Sequence, residues 1–259
     1  MYEYIEFQII QNIAYLRFNR PEVFNSINQP MAFEIQQVLD LCGENESIRC
    51  VVITGNGKAF CAGQDLKEVT DPEGPALQNI VKDHYNPIIM RIRNLNKPVI
   101  CAVNGVAAGA GANIALCGDI VVATASASFV QAFSKIGLIP DSGGTYFLPR
   151  LIGFQRASAL MMLGEKVMAA DAMQMGMIYA VFADDTFNDS LEKLALTIAA
   201  MPTYGLALTK QALNESYSND LQKQLDLEEK IQTLAGNSAD YTEGVQAFLE
   251  KRKPHFSGK

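Results

Sequence analysis

Histidine is almost missing from this chain: among 259 residues only His84 and His255 occur, too few and too poorly spaced for a histidine-based metal site. Cysteine is little better represented. Cys42, Cys50, Cys61, Cys101 and Cys117 make an odd number with no C-x-x-C pair, which points to reduced core thiols and away from a disulfide framework or a zinc site. No apolar run approaches the roughly 20 residues of a membrane span, and the opening "MYEYIEFQII" lacks the basic start and apolar centre of a secretory signal. The expectation is a cytoplasmic protein without a membrane partner. A formal charge of −7 opposes nonspecific nucleic-acid binding, although a local basic patch could still receive an anionic cofactor. What remains is an ordinary globular composition, 49% hydrophobic and 19% charged, in a chain long enough for one large domain or one domain with an appendage.

The first half alternates strand-like and helical runs. "YEYIEFQII" and "IAYLRFN" read as a strand pair turning at Gln11 and Asn12, "QPMAFEIQQVLDLC" as a helix and "CVVITG" as the next strand. After the small-residue loop "GNGKAFCAGQDL", a helix is expected around residues 76 to 95, then strand "PVICAVN", the run "GVAAGAGANIALCGD", strand "IVVATA" and the short segment "SFVQAF". From about residue 155 strand signals largely give way to helices, ending with "LQKQLDLEEKIQTLAG" and "DYTEGVQAFLEKR". The pattern predicts an α/β core over 1–195 and a helical C-terminal region over 196–259. Alternation alone does not separate an open Rossmann sheet from a spiral of ββα units.

Three loops carry the chemical interest. In "AFCAGQDL" (59–66), Ala62 and Gly63 let a ligand approach the backbone and leave the Gln64 amide free to point outward; the same residues would also serve a tight connection. In "NGVAAGAGANIAL" (104–116), small residues before an apolar helix suit backbone donors to an anion or a developing oxyanion, or simply close helix packing. Its glycines do not have the G-x-G-x-x-G spacing of a dinucleotide site. In "GLIPDSGGT" (137–145), Ser142 lacks the G-x-S-x-G elbow, and the only preceding histidine is His84, so a serine-hydrolase reading is poor. Asp141 on these residues alone reads most simply as a helix cap.

Together, "NRPEVFNSIN", "FCAGQDL", "PVICAVNGVAAGAGANIALCGDI", "FSKIGLIPDSGGTYFLPRLIG" and "EGVQAFLEKRKPHF" resemble the crotonase superfamily, the enoyl-CoA hydratase/isomerase group, from the first strands to the last ten residues. The resemblance implies a crotonase-type spiral of ββα units with a helical C-terminal trimerisation region, forming a homotrimer or a hexamer made of two trimers. It places two oxyanion-hole amides at Gln64 and Ala110, and puts Ala62, Gln64, Asp65 and Leu66 along the CoA path with Phe24 near the thioester end. Phe248 and Lys251 are the candidates for reaching the CoA of a neighbouring subunit.

The departures narrow the implied chemistry. The two glutamates by which hydratases of the group handle water correspond here to Asn113 and Phe133, and neither can act as a carboxylate, so hydratase activity should be poor or absent. The remaining carboxylate is Asp141, at a position where certain isomerases carry aspartate. Flanked by "GLIP" and "YFLP", it should be partly desolvated, with a raised pKa that makes it a better base toward a carbon acid. The resemblance therefore implies an acyl-CoA isomerase. Its branch opens a ring-1,2-epoxide on an aryl-acetyl thioester to an oxepin and moves 3,4-double bonds to the 2,3-position. No metal or redox cofactor is implied, since CoA arrives with the substrate.

Overall fold

The computed structural model describes residues 2–259. Strands β1 (Ile5–Ile10) and β2 (Ile13–Phe18) form an antiparallel hairpin. Gln11 and Asn12 both take left-handed conformations, φ 50° and 64°, as a two-residue primed turn demands. Helix α1 (Gln29–Glu44) starts at Asn28, whose side chain accepts from the Met31 N–H. It is followed by β3 (Cys50–Gly55), β4 (Ala59–Cys61) and α2 (Leu66–Thr70).

The helix expected around residues 76 to 95 is interrupted. A single turn, α3 (Leu77–Asn79), runs into a π-helical segment, Ile80–Tyr85, before α4 (Asn86–Asn94) resumes α geometry. The wider turn carries His84 and Tyr85, consecutive and both buried. Next come β5 (Val99–Val103), β6 (Val106–Ala108), α5 (Ala110–Leu116), β7 (Ile120–Thr124) and β8 (Ser128–Val130). The "SFVQAF" segment is half strand, its end winding into a 3-10 turn, Ala132–Ile136. Helices α6 (Gly144–Ile152) and α7 (Phe154–Leu163) follow, then β9 (Lys166–Met168), α8 (Ala169–Gln174) and β10 (Ala180–Phe182). These two three-residue strands are too short for a period-2 pattern to be seen in the sequence. Helices α9 (Phe187–Ala199), α10 (Thr203–Ser216), α11 (Leu221–Gly236) and α12 (Ala239–Leu249) complete the chain.

Successive strands feed two sheets in turn. β1-β2-β3-β5-β7-β10 form one sheet, parallel from β2 onward, and β4-β6-β8-β9 form the other. This is the ββα spiral, and the open Rossmann alternative falls, because β4, β6 and β8 leave the first sheet instead of extending it. The inner strands β2, β3, β5 and β7 are buried on both faces, which explains the apolar runs of β3, β5 and β7, whereas β1 at the edge is largely exposed. Along β3, Val51 and Ile53 face the main core, while Cys50 and Val52 face a second cluster closed by Phe187, Leu191, Ala195 and Ala199 of α9. Residue 195 thus lies within a helix that packs on the sheet.

Helix α10 is tied to this core by buried charge. Lys210 Nζ lies 2.7 Å from Asp119 Oδ2 and donates to the Ile92 carbonyl at 2.7 Å, while Arg93 pairs with Asp119 at 3.1 Å. Burial lowers the Lys210 pKa and the Asp119 charge opposes that shift, so the pairing is what keeps a desolvated ammonium in place. Beyond it, Leu213, Leu221, Leu225, Leu234, Phe248 and Leu249 stand exposed on α10 to α12. Among the described residues no helix is long and apolar enough to cross a membrane.

Candidate active site

Loop 59–66 is fixed by a short bridge to Ile27. The Ile27 N–H donates to the Gly63 carbonyl at 2.7 Å and the Asp65 N–H to the Ile27 carbonyl at 3.0 Å. Both neighbours of Gln64 are thereby engaged, and the Gln64 N–H itself makes no hydrogen bond among the described residues. In the second loop the Gly109 N–H donates to the Val130 carbonyl at 2.9 Å, and the next amide, Ala110, is likewise without an acceptor. A free N–H in a largely buried loop is uncommon, and here there are two.

Missing side chains bring the two loops together. A Cβ on Gly63, which has φ 92°, would lie 2.9 Å from the Ala108 oxygen and 3.4 Å from the Ala110 nitrogen. One on Gly111 would strike the Cys61 oxygen at 2.3 Å, so α5 can pack its first turn on β4 only as it stands. Cys61 is itself inert: burial pushes its thiol up to about 12. Two neighbouring, unengaged N–H groups are what a developing oxyanion needs.

The side chain of Gln64 is also held. Tyr85 Oη donates to its Oε1 at 2.7 Å, and its Nε2 donates to Glu68 Oε2 at 2.7 Å. Burial raises the Tyr85 pKa well above the usual phenol value, and the nearby Cys61 and Asp141 push the same way, so the phenol remains a donor. Tyr85 and Glu68 were not singled out in the sequence. Glu68 is legible in retrospect, four residues after Gln64, whereas Tyr85 reaches the loop only through the π-helical turn. His84, which precedes it, packs edge-on against Phe33 at 5.5 Å with both ring nitrogens buried and unpartnered among the described residues, and burial lowers its pKa.

The Asp141 turn is joined to α5 through the Asn113 side chain. Its carboxyl is half-buried, and desolvation raises its pKa against the lowering effect of Ser142, whose Oγ donates to Asp141 Oδ1 at 2.9 Å. Helix capping does not account for Asp141. Helix α6 begins after Gly143 with no side-chain cap; only the Asp141 backbone carbonyl takes part, accepting from the Gly144 N–H at 2.8 Å. Ser142 has its hydroxyl committed to Asp141 and takes φ 50° while almost wholly buried. Asn113 is fully buried beside the turn, and the Phe133 ring packs near Gly109, 3.8 Å from the point where its Cβ would be.

The remaining candidates divide. Phe24 adjoins loop 59–66, its carbonyl accepting from the Ala62 N–H at 3.0 Å and its ring exposed; Leu66 is exposed at the start of α2. Asp65 is turned inward, paired with Arg20 at 2.8 Å and accepting from the Lys67 N–H at 3.0 Å, because it caps α2. Its carboxylate is therefore committed, as is its N–H, which donates to the Ile27 carbonyl. Phe248 and Lys251 are not brought to the loops within one chain: Phe248 lines an apolar groove of about 460 Å³ with Pro202, Tyr241, Val245 and Phe256, and Lys251 is exposed at the end of α12. Among the described residues no group of histidine, cysteine or acidic side chains is arranged to hold a metal.

Two free amides and one desolvated carboxylate are thus carried on loops that Gly63, Gly111 and Asn113 bring together. The chain belongs to the enoyl-CoA hydratase/isomerase family, which matches residues 8–259. It is 51% identical to 1,2-epoxyphenylacetyl-CoA isomerase of Escherichia coli over the whole of both chains, and 33% identical to trans-2-decenoyl-[acyl-carrier-protein] isomerase of Streptococcus mutans over 98% of each. Among solved structures it superposes with a TM-score of 0.92 on an enoyl-CoA hydratase/isomerase from Cupriavidus metallidurans, at 32% identity, covering 100% of this chain and 97% of the other.

Proposed function

We propose that this protein is an acyl-CoA isomerase that converts ring-1,2-epoxyphenylacetyl-CoA to oxepin-CoA and shifts 3,4-double bonds of acyl-CoA thioesters to the 2,3-position. The observation that carries the proposal is the desolvated carboxylate of Asp141, whose turn is tied through Asn113 to the helix that opens with one of the two unengaged amides. The thioester oxygen sits between the Gln64 and Ala110 N–H groups. Asp141 removes a proton from C2, the electron pair moves toward the oxygen as a dienolate, and the same carboxyl returns the proton to C4, leaving the double bond between C2 and C3. Atoms and charge balance without water, metal or redox partner. Each amide stabilises the enolate by about 3 kcal/mol. Epoxide opening is also an isomerisation, in which the ring C1–C2 bond breaks as the double bonds redistribute.

Hydration is disfavoured because Asn113 and Phe133 occupy the two positions where the resemblance places the water-handling glutamates. The relative with 51% identity supports the aromatic epoxide as substrate. The exposed apolar residues of α10 to α12 support a homotrimer or a dimer of trimers, in which Phe248 and Lys251 reach a neighbour's CoA. Five buried, unpaired cysteines are compatible with a cytoplasmic setting.

The test is turnover of cis-3-enoyl-CoA and of enzymatically generated epoxyphenylacetyl-CoA by wild type and Asp141→Asn, with chromatography of the CoA products. Oxepin-CoA and 2-enoyl-CoA from wild type, both lost in the variant, are expected. Turnover of the linear thioester alone points to a fatty-acyl Δ3,Δ2-isomerase, and an Asp141→Asn variant as active as wild type overturns the proposal.

A further inference from the structure

The Asp141 turn is an unfavourable structure to hold still. Ser142 is a non-glycine residue at φ 50°, Gly143 follows at φ 74°, and Ile136 and Ile139 before the turn are 60% and 81% exposed. A strained backbone persists only where its surroundings over-determine it. The side-chain hydrogen bond that anchors the backbone of this turn comes from Asn113, whose Nδ2 donates to the Asp141 carbonyl at 2.9 Å. Asn113 is in turn oriented from behind: Gln131 Nε2 donates to Asn113 Oδ1 at 2.7 Å, and the other end of the Gln131 amide, Oε1, is buried without a partner among the described residues.

Three further features give this pair a purpose. Gln131 leaves β8 just before the 3-10 turn that leads through Gly137 to Asp141, so Gln131 and Asp141 are the two ends of one excursion and Asn113 ties them together. Asn113 lies three residues after Ala110 on α5, the same short helix that opens with the unengaged amide. One rigid element thereby sets the distance between an oxyanion donor and the aspartate. The amide plane of Asn113 also packs against Gly144, where a Cβ would lie 2.4 Å from Asn113 Nδ2. The Asn113 amide fills the space that a side chain at 144 would need.

Resting on the reading of Asp141 as acid and base, we propose that Gln131 and Asn113 form a two-amide relay that positions Asp141 for proton transfer. Both are positioning residues that act through Asp141. A carboxyl isostere at 113 has the shape of asparagine but would set an acceptor against the Asp141 carbonyl, so orientation would be lost although packing is kept.

The experiment is steady-state isomerisation of cis-3-enoyl-CoA by the full-length protein carrying Asn113→Ala, Asn113→Asp, Gln131→Ala, Asn113→Ala with Gln131→Ala, and Asp141→Asn, with folding checked by circular dichroism and thermal melting. Asn113→Ala and Asn113→Asp should each lower kcat by about 10–100-fold with KM within about twofold of wild type, the range expected when a reacting group is misplaced by about an ångström. Gln131→Ala should lower it by less, and the double variant should match Asn113→Ala, because Gln131 acts only through Asn113. Rates near wild type in Asn113→Asp, a rise in KM parallel to the loss of kcat, or losses that multiply in the double variant would each overturn the relay. If Asn113→Ala does not fold, Asn113→Asp and Gln131→Ala decide the matter. An Asp141→Asn variant with full activity removes the catalytic reading and the relay together, whereas an inactive Asp141→Asn beside fully active Asn113 variants removes only the relay.

Discussion

The two sides of the proposed site are built by opposite means. On the oxyanion side, the loops around Gln64 and Ala110 present backbone N–H groups, and their geometry follows from atoms that are not there: Gly63 and Gly111 admit close approach that no Cβ would allow. On the other side, a single carboxyl on a strained turn is oriented by hydrogen bonds from Ser142 and, through the backbone, from Asn113. The difference teaches how each side fails. Backbone donors tolerate changes of side chain at their own positions but not bulk at their neighbours; the aspartate tolerates neither its own replacement nor the loosening of its supports.

The largest effect should come from Asp141→Asn, which lowers kcat for double-bond migration by roughly 10³-fold, within the range attributed to general acid–base groups, and leaves KM nearly unchanged in steady-state assays. Gly63→Ala attacks the opposite side. With its Cβ 2.9 Å from the Ala108 oxygen at a left-handed φ, it should displace the Gln64 amide and cost about 10²-fold in kcat, the scale of losing one oxyanion donor.

Tyr85→Phe removes the donor to Gln64 Oε1 and sharpens the comparison. Because the Gln64 donor is its backbone and not its side chain, kcat should change by no more than about twofold, while about 1 kcal/mol is lost in chemical denaturation for the unmade buried hydrogen bond. Ser142→Gly relieves the positive φ while deleting the hydroxyl that lowers the Asp141 pKa. The acid limb of its kcat/KM profile should move to higher pH, and the plateau should fall because the carboxyl loses one of its two supports.

The smallest effect is on stability. Burial holds the Asp141 carboxyl above its ordinary value, so the folded state retains the proton more readily than the unfolded one. Its contribution is complete below the unfolded value near 3.9 and is lost as pH rises through the folded value. Asp141→Asn should accordingly raise Tm by about 1–3 °C at pH 7.5 and by nothing at pH 3.5, as scanning calorimetry would show.

The same contrast governs what could be read from the residues. The ββα alternation, the α11 and α12 helices and the small-residue loops were legible, because period-2 and period-3.6 apolar patterns and glycine placement are local signals. Asp141 was singled out only once the surrounding motifs showed their resemblance; by itself "PDSGG" looks like a helix cap, a role its carboxyl does not play. Tyr85, Glu68 and Gln131 escaped notice, since their meaning comes from packing between segments distant in sequence. Gln131 meets Asn113 across 18 residues and Tyr85 meets Gln64 across 21, the latter through a π-helical turn that nothing in "IVKDHY" announces. The three-residue strands β9 and β10 were missed for the simpler reason that three residues carry no period.

The most direct test of the account measures exchange of the α-protons of phenylacetyl-CoA with D2O, followed by mass spectrometry, because it needs Asp141 and the two amides but no completed isomerisation. Deuterium should enter C2 with wild type, at a rate reduced about 10²-fold by Gly63→Ala and abolished by Asp141→Asn, while both variants still bind the thioester. Exchange at the wild-type rate in Asp141→Asn would contradict the assignment of Asp141 as the group that moves the proton.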